Sequence, residues 1–196
     1  MSGGSVRERV RLAVSGYTSQ EIPLGDQRES AVMLLLHERD GVEHLLFQVR
    51  SATMVMHTGQ IGFPGGARSK TDADLLDTAL REVEEEIGVP RDQIEVFGRI
   101  DDGYTNSSNY RIRPYVGALQ PGPRSFTIDE GEVFELLEIP LEWLLSEDAR
   151  GWHGTDNRGT LEAAPAFIYG EHAIYGATWR ILNQFSELLD SARRPS

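Results

Sequence analysis

Residues 71–87 carry two chemically different stripes along one predicted helix. On a helical wheel at about 100° per residue, one arc is apolar and contains Leu76, Ala79, Leu80, Val83 and Ile87. The neighbouring arc presents the carboxylates of Glu82, Glu85 and Glu86. The apolar stripe predicts a helix that packs against a core, and the acidic stripe requires a separate explanation.

The predicted ends of this helix make the acidic stripe unfavourable. Thr71 is the predicted N-cap, Asp72 and Asp74 lie in the first turn, and Gly88 followed by Pro90 ends the helix. Like charges three or four residues apart cost about 0.2 to 0.5 kcal/mol per pair. Carboxylates in the last turn also face the negative end of the helix dipole. Clustered carboxylates of this kind are compensated most simply by a hard divalent cation, so the sequence predicts a Mg²⁺ or Mn²⁺ site.

The elements around this helix predict an α/β fold with a mixed sheet and helices on both faces. Residues 30–37 and 43–49 read as strands joined by a hairpin at Asp40-Gly41. Further strands are predicted at 94–100, 112–119, 132–139 and 161–169, and further helices at 5–14, 140–146 and 174–189. We expect one domain over 1–196, with an N-terminal helix and lead-in at 1–27 and a catalytic core at 28–190.

Composition excludes several classes of protein. The net charge of −12 opposes general nucleic-acid binding, because phosphates require a basic face. The absence of cysteine excludes disulfides, thiolate zinc sites and a cysteine nucleophile. Neither a membrane-spanning apolar run nor a signal-peptide pattern is present, so we expect a cytoplasmic protein without a membrane partner.

A glycine-rich loop precedes the acidic helix and offers candidate ligand contacts. Gly65 and Gly66 end a turn whose backbone can approach a ligand or a metal ion closely. Three cationic residues, Arg50, Arg68 and Lys70, lie in or beside this loop. For each of them, the sequence supports a contact with phosphate oxygens and a role as a surface cation equally.

The segment from Gly66 to Val89, with Arg81-Glu82-Val83-x-Glu85-Glu86-x-Gly88-Val89, resembles the Nudix box of the Nudix hydrolases. The resemblance implies a Nudix-type α/β/α sandwich and hydrolysis of a nucleoside diphosphate linked to another moiety. It also implies that Glu82, Glu85 and Glu86 bind Mg²⁺ or Mn²⁺ and that Arg81 orients Glu85. The sequence departs from the family at Ala73, where a glutamate is usual, and Asp72 stands beside that position.

Residues upstream of the box are similar to the signature of the coenzyme A pyrophosphatases. The similar residues are Arg50-Ser51, His57, Gly59 and Phe63-Pro64-Gly65-Gly66. Val55 and Tyr175 replace an arginine and a tryptophan that this subgroup often has. We therefore predict that substrate is bound by Arg50, Ser51, Gly65, Gly66 and Arg68. A homodimer is expected from the resemblance alone.

The first hypothesis for function is cleavage of coenzyme A or acyl-coenzyme A to 4'-phosphopantetheine and 3',5'-ADP. The rival hypotheses are a pyrophosphatase of the ADP-ribose or NADH type and a catalytically silent nucleotide-binding module. Two general bases stay open, Glu85 and the loop residue Glu132. His57 is a further candidate, for which a loop-capping role is favoured over a catalytic one.

Overall fold

The computed structural model describes residues 5–51, 60–105, 108–122, 124–157 and 160–193. Its α-helices are α1 (Val6–Ser15), α2 (Leu75–Ile87), α3 (Leu141–Leu144) and α4 (Gly176–Arg193). Its strands are β1 (Arg28–Arg39), β2 (Val42–Arg50), β3 (Ile61–Gly62), β4 (Gly65–Ala67), β5 (Ile94–Arg99), β6 (Gly103–Tyr104), β7 (Tyr110–Leu119), β8 (Val133–Pro140), β9 (Arg150–Asn157), β10 (Thr160–Tyr169) and β11 (His172–Ile174). Among the helices described, none has the length and apolar character needed to cross a membrane.

The central sheet is mixed, as the sequence predicted. Strand β1 pairs in parallel with β7 and antiparallel with β2. Strand β5 adds antiparallel to β7, and β8 adds antiparallel to β2. The short strands β3 and β4 pair with β2 and β1, and they connect the sheet to the start of the acidic helix segment. Strands β9 to β11 form a second, antiparallel sheet.

Strand β1 is buried on both faces, which explains its unbroken apolar run. Leu34 and Leu36 pack in a cluster with residues of α1 and α4, including Phe185. Met33 and Leu35 point to the opposite face and pack with the apolar stripe of α2. Burying each such side chain contributes about 1.5 to 3 kcal/mol. The expected arrangement of helices on both faces of the sheet is confirmed.

The structure corrects the predicted start of the acidic helix. Helix α2 begins at Leu75, and its N-cap is Asp74, whose Oδ1 accepts a hydrogen bond from the Asp77 N–H at 2.9 Å. Thr71 is therefore not the cap. Asp72 is buried, and its N–H donates to the carbonyl of Ser69 at 3.2 Å, which closes a turn before the helix begins. The predicted end is confirmed, since Gly88 adopts the left-handed conformation at φ 68°.

The predicted hairpin is also confirmed, with Asp40 and Gly41 both at positive φ, as a type I′ turn requires. Strand β9 was missed by the sequence prediction. Its sequence has two glycines and no apolar alternation, yet it pairs with β10 along its whole length. Pairing with a neighbouring strand, which is tertiary information, decides this element.

Candidate active site

Three carboxylates converge beside the C-terminal half of α2. Glu82 and Glu86 lie one turn apart on the helix, and Glu132 comes from the segment just before β8. One oxygen of each lies within 4.8 Å of the others. The sequence predicted two of these residues as metal ligands and the third as a candidate base.

Glu86 is the most buried of the three, with 2% of its surface exposed. Its oxygens accept hydrogen bonds from Gln48 Nε2 at 2.7 Å and from the Gly65 N–H at 2.8 Å. Burial raises the pKa of Glu86 to about 8, although these two donors oppose the shift. The protein thus fixes the orientation of this carboxylate with neutral hydrogen-bond donors.

Backbone hydrogen bonds bring Glu132 to the helix. The Asp129 N–H donates to the carbonyl of Glu86 at 2.9 Å, and the Glu132 N–H donates to the carbonyl of Asp129 at 3.0 Å. The Ser51 N–H in turn donates to the carbonyl of Glu132 at 2.9 Å. The last turn of α2 and the end of β2 therefore hold this loop residue at the cluster.

Close contacts beside the carboxylate cluster require glycine at positions 65 and 66. A Cβ on Gly65, which has φ 150°, would lie 2.3 Å from the carbonyl oxygen of Ala31. A Cβ on Gly66 would lie 2.5 Å from the Cδ of Glu82. The first glycine lets the chain pass β1, and the second leaves space for a carboxylate.

Arg81 links the cluster to the remaining glutamate of the stripe. Its NH1 donates to Glu82 Oε1 at 2.9 Å and to Glu85 Oε2 at 2.8 Å. The predicted pairing of Arg81 with Glu85 is thus present. Glu85 is exposed and lies outside the three-carboxylate group found among the described residues, so its assignment as a metal ligand stays a prediction.

The donor set fits a hard divalent cation. Three carboxylate oxygens within 4.8 Å of one another repel, and burial raises the pKa of Glu82 as well as that of Glu86. Oxygen ligands on a largely fixed frame suit Mg²⁺ or Mn²⁺ rather than a soft metal ion. Glu82, Glu86 and Glu132 are therefore the residues that could hold the metal.

A sequence model of the NUDIX domain matches residues 27–162, which is more than half of the chain. The chain belongs to the Nudix family. The Nudix hydrolase NudL of Photorhabdus laumondii is 34% identical over 164 residues, which cover 84% of this chain and 87% of that protein. The NudL of Pectobacterium atrosepticum is 38% identical over 122 residues, which is 61% of each chain.

The fold agrees with this assignment. A MutT protein from Methanosarcina mazei Go1 has a TM-score of 0.55 and 16% identity, covering 92% of this chain and all of that one. The protein is therefore a Nudix hydrolase, a pyrophosphohydrolase of nucleoside diphosphate derivatives. Divalent metal ions are general in this family, in agreement with the carboxylate cluster.

The predicted substrate residues of this Nudix hydrolase fall into two places. Arg50 lies at a β-bulge at the end of β2, and its charge lowers the pKa of Glu86 against the effect of burial. Ser51 is buried beside Glu132. Arg68 and Lys70 instead line a surface cleft of about 470 Å³, where Arg68 pairs with Glu29 at 3.0 Å. His57 lies outside the described residues.

Two functional candidates were not assigned by sequence reasoning. Gln48 is a buried amide that interrupts the apolar run at 45–49 of β2, and that break in the apolar pattern is the signal that could have identified it. Asp72 was noted only as a neighbour of the missing glutamate. In the structure its carboxylate binds the guanidinium of Arg81.

Proposed function

We propose that this Nudix hydrolase cleaves the diphosphate bridge of coenzyme A or an acyl-coenzyme A, with Mg²⁺ or Mn²⁺ at the carboxylate cluster. The products are 4'-phosphopantetheine, or its acyl form, and 3',5'-ADP. The observation that carries the proposal is the contact between the signature upstream of the box and the cluster. The backbone N–H of Ser51 donates to the backbone carbonyl of Glu132, and the charge of Arg50 acts on Glu86. Residues that resemble those of coenzyme A pyrophosphatases therefore adjoin the reacting centre.

The carboxylate cluster supplies the metal site of the proposed mechanism. Glu82, Glu86 and Glu132 hold the divalent ion, and Gln48 and Gly65 fix the rotamer of Glu86. A bound divalent ion neutralises phosphate charge, polarises the phosphoryl oxygen and lowers the pKa of water. The same charge reversal permits a protein of net charge −12 to bind an anionic substrate.

Glu85 is the proposed general base. Arg81 binds its Oε2, which orients the carboxylate and leaves Oε1 to accept a proton from the attacking water. Its exposure on the solvent side of α2 suits an exchange of protons with water after each turnover. Arg50 is proposed to contact the phosphate groups, because its charge acts on Glu86 at the cluster.

One assay separates this substrate from its rivals. The purified protein is incubated with Mg²⁺ or Mn²⁺ and with coenzyme A, acetyl-coenzyme A, ADP-ribose, NADH or a dinucleoside polyphosphate, and the products are identified by mass. We expect 3',5'-ADP and 4'-phosphopantetheine from coenzyme A at the highest kcat/KM. Faster turnover of ADP-ribose or NADH would identify that compound, and not coenzyme A, as the substrate. No turnover of any compound would support the catalytically silent nucleotide-binding module.

A matched pair of variants ties turnover to the cluster. Glu84→Gln removes an exposed carboxylate from the same helix, and we expect it to keep wild-type turnover. Glu86→Gln removes a cluster carboxylate and should lower turnover by orders of magnitude. We also propose that the protein forms a homodimer. Light scattering of the protein as it elutes from a size-exclusion column would determine its mass in solution.

A further inference from the structure

The guanidinium of Arg81 has a complete set of hydrogen-bond acceptors. Its Nε and NH2 donate to the two oxygens of Asp72 at 2.8 and 2.9 Å, and NH2 also donates to the Ala67 carbonyl at 3.3 Å. Its NH1 donates once to Glu82 and once to Glu85. These five bonds equal the five N–H donors of a guanidinium. Arg81 consequently gives one hydrogen bond, not two, to each glutamate.

Asp72 is itself rigidly held. Its side chain is 2% exposed, and besides Arg81 it accepts hydrogen bonds from the Ser69 N–H at 2.8 Å and from Thr78 Oγ1 at 2.9 Å. The hydrogen bonds from Arg81 hold the pKa of Asp72 well below its usual range, so the carboxylate is ionised at neutral pH. The ionised carboxylate of Asp72 therefore occupies the Nε and NH2 donors of the Arg81 guanidinium.

We propose that Asp72 is a positioning residue for the metal centre: by binding two donors of Arg81, it prevents that guanidinium from chelating Glu82 in place of the divalent cation. The proposal rests on the metal site of the proposed function and deepens it. It also assigns a role to a residue that lies one position before Ala73, where the family pattern would have a glutamate.

Arg81 and the divalent cation would compete for Glu82 because a guanidinium can bind both oxygens of one carboxylate through two parallel N–H donors. Arg81 NH1 already lies 2.9 Å from Glu82 Oε1. Without Asp72, the Nε and NH2 donors would lose their anion, and a two-bond fork with an adjacent carboxylate would be the strongest replacement. Such a fork engages both oxygens of the carboxylate. The divalent cation would then have to displace the guanidinium from Glu82 before binding.

The test measures Mn²⁺ binding by calorimetry in the absence of substrate. We expect Asp72→Asn to weaken Mn²⁺ binding by roughly 10- to 100-fold, the usual effect of removing a group that orients a metal ligand. The matched control is Asp77→Asn, since Asp77 belongs to the same helix start but pairs with Arg91 at 2.6 Å. The control should retain wild-type affinity. A wild-type Mn²⁺ affinity in Asp72→Asn would overturn the proposal.

A double-mutant cycle separates positioning from a general structural effect. Because Asp72 acts through Arg81, Asp72→Asn should leave the Mn²⁺ affinity unchanged in an Arg81→Gln background. An equal loss in both backgrounds would overturn the proposal. If Asp72→Asn does not fold, Thr78→Val takes its place. It removes one donor to Asp72, and a smaller loss of affinity that depends on Arg81 would support the proposal, whereas no loss would overturn it.

The outcomes also distinguish this inference from the proposed substrate. Wild-type protein that binds Mn²⁺ but does not cleave coenzyme A would overturn the substrate alone, because the affinity comparison needs no substrate. Wild-type protein that binds no Mn²⁺ would overturn the metal centre and the role of Asp72 together.

Discussion

Glu86 and Asp102 are two buried carboxylates whose hydrogen-bond partners differ in charge. They are 2% and 8% exposed, respectively. Glu86 accepts hydrogen bonds from a neutral amide and a backbone N–H. Asp102 accepts two hydrogen bonds from the guanidinium of Arg113, at 2.9 and 3.0 Å, and a third from the Ile22 N–H at 3.2 Å. The first acid is oriented without a counter-charge, and the second is neutralised within the protein.

The surroundings of Asp102 show what a structural ion network requires. Arg113 also pairs with Glu21 at 3.1 Å, and Arg111 donates to the Ile22 carbonyl at 2.9 Å. The hydrogen bonds to Asp102 raise the pKa of Arg113 above its ordinary value, so the guanidinium stays charged. This network fixes the segment between α1 and β1 onto the central sheet, and every charge in it meets an opposite one.

The difference between the two regions identifies the site that needs an external cation. A buried charge without a partner is costly, and folded proteins generally pair or neutralise such groups. The Asp102 network meets this requirement with arginine. In the Glu86 cluster Arg81 contacts one of the three carboxylates, Glu82, and we propose that a divalent ion supplies the remaining positive charge.

The largest expected effect is on turnover. Glu86→Gln should lower kcat by ~10³-fold, because a ligand that stabilises charge on the metal-bound transition state is worth several kcal/mol. The fold should persist, as judged by circular dichroism. Turnover near the wild-type value would remove Glu86 from the reacting centre and end the contrast with Asp102.

The next largest effect is expected on stability at the other region. Asp102→Asn should lower the free energy of unfolding by about 3 kcal/mol, because it leaves the guanidinium of Arg113 partly buried without its main anion. The measurement is urea unfolding, with kcat of the folded protein as the control. A loss of kcat without a loss of stability would contradict the structural role of this network.

Two adjacent glycines sharpen the comparison further. Gly66→Ala should reduce kcat by ~100-fold with the fold retained, because the added Cβ meets only the movable carboxylate of Glu82. Gly65→Ala should instead destabilise the whole fold, because its Cβ meets the backbone of Ala31 and Val32. Melting temperatures and kcat of both variants would check this, and equal effects on stability would contradict it.

The smallest expected effect is a pH dependence of the metal-free protein. Burial raises the pKa of Glu86 from 4.5 to about 8, so between these values the folded state keeps a proton that the unfolded state has released. The free energy of unfolding should therefore fall as the pH rises through this window. Urea unfolding in EDTA should show the slope in Glu84→Gln and not in Glu86→Gln. The same slope in both variants would assign the titration to another group.

Much of the fold was predictable because the responsible signals are local. Asp40-Gly41 predicted the hairpin, Gly88 predicted the end of the acidic helix, and the apolar run at 30–37 predicted the strand β1. The helix start was not predictable, because Thr71, the predicted cap, and Asp74, the observed one, are both residue types that cap helices. Only the position of Arg81 assigns Asp72 to an ion pair and leaves Asp74 to cap the helix.

The sequence alone determined that three glutamates would share one helix face behind a glycine turn, because a helical period places them there. The tertiary structure decided that Glu82 and Glu86 are joined by Glu132, while Glu85 is held by Arg81. It also decided that Gln48 and Asp72 support the cluster. These contacts join residues far apart in the chain, and only the packing of β2, α2 and the segment before β8 sets the distances between their side chains.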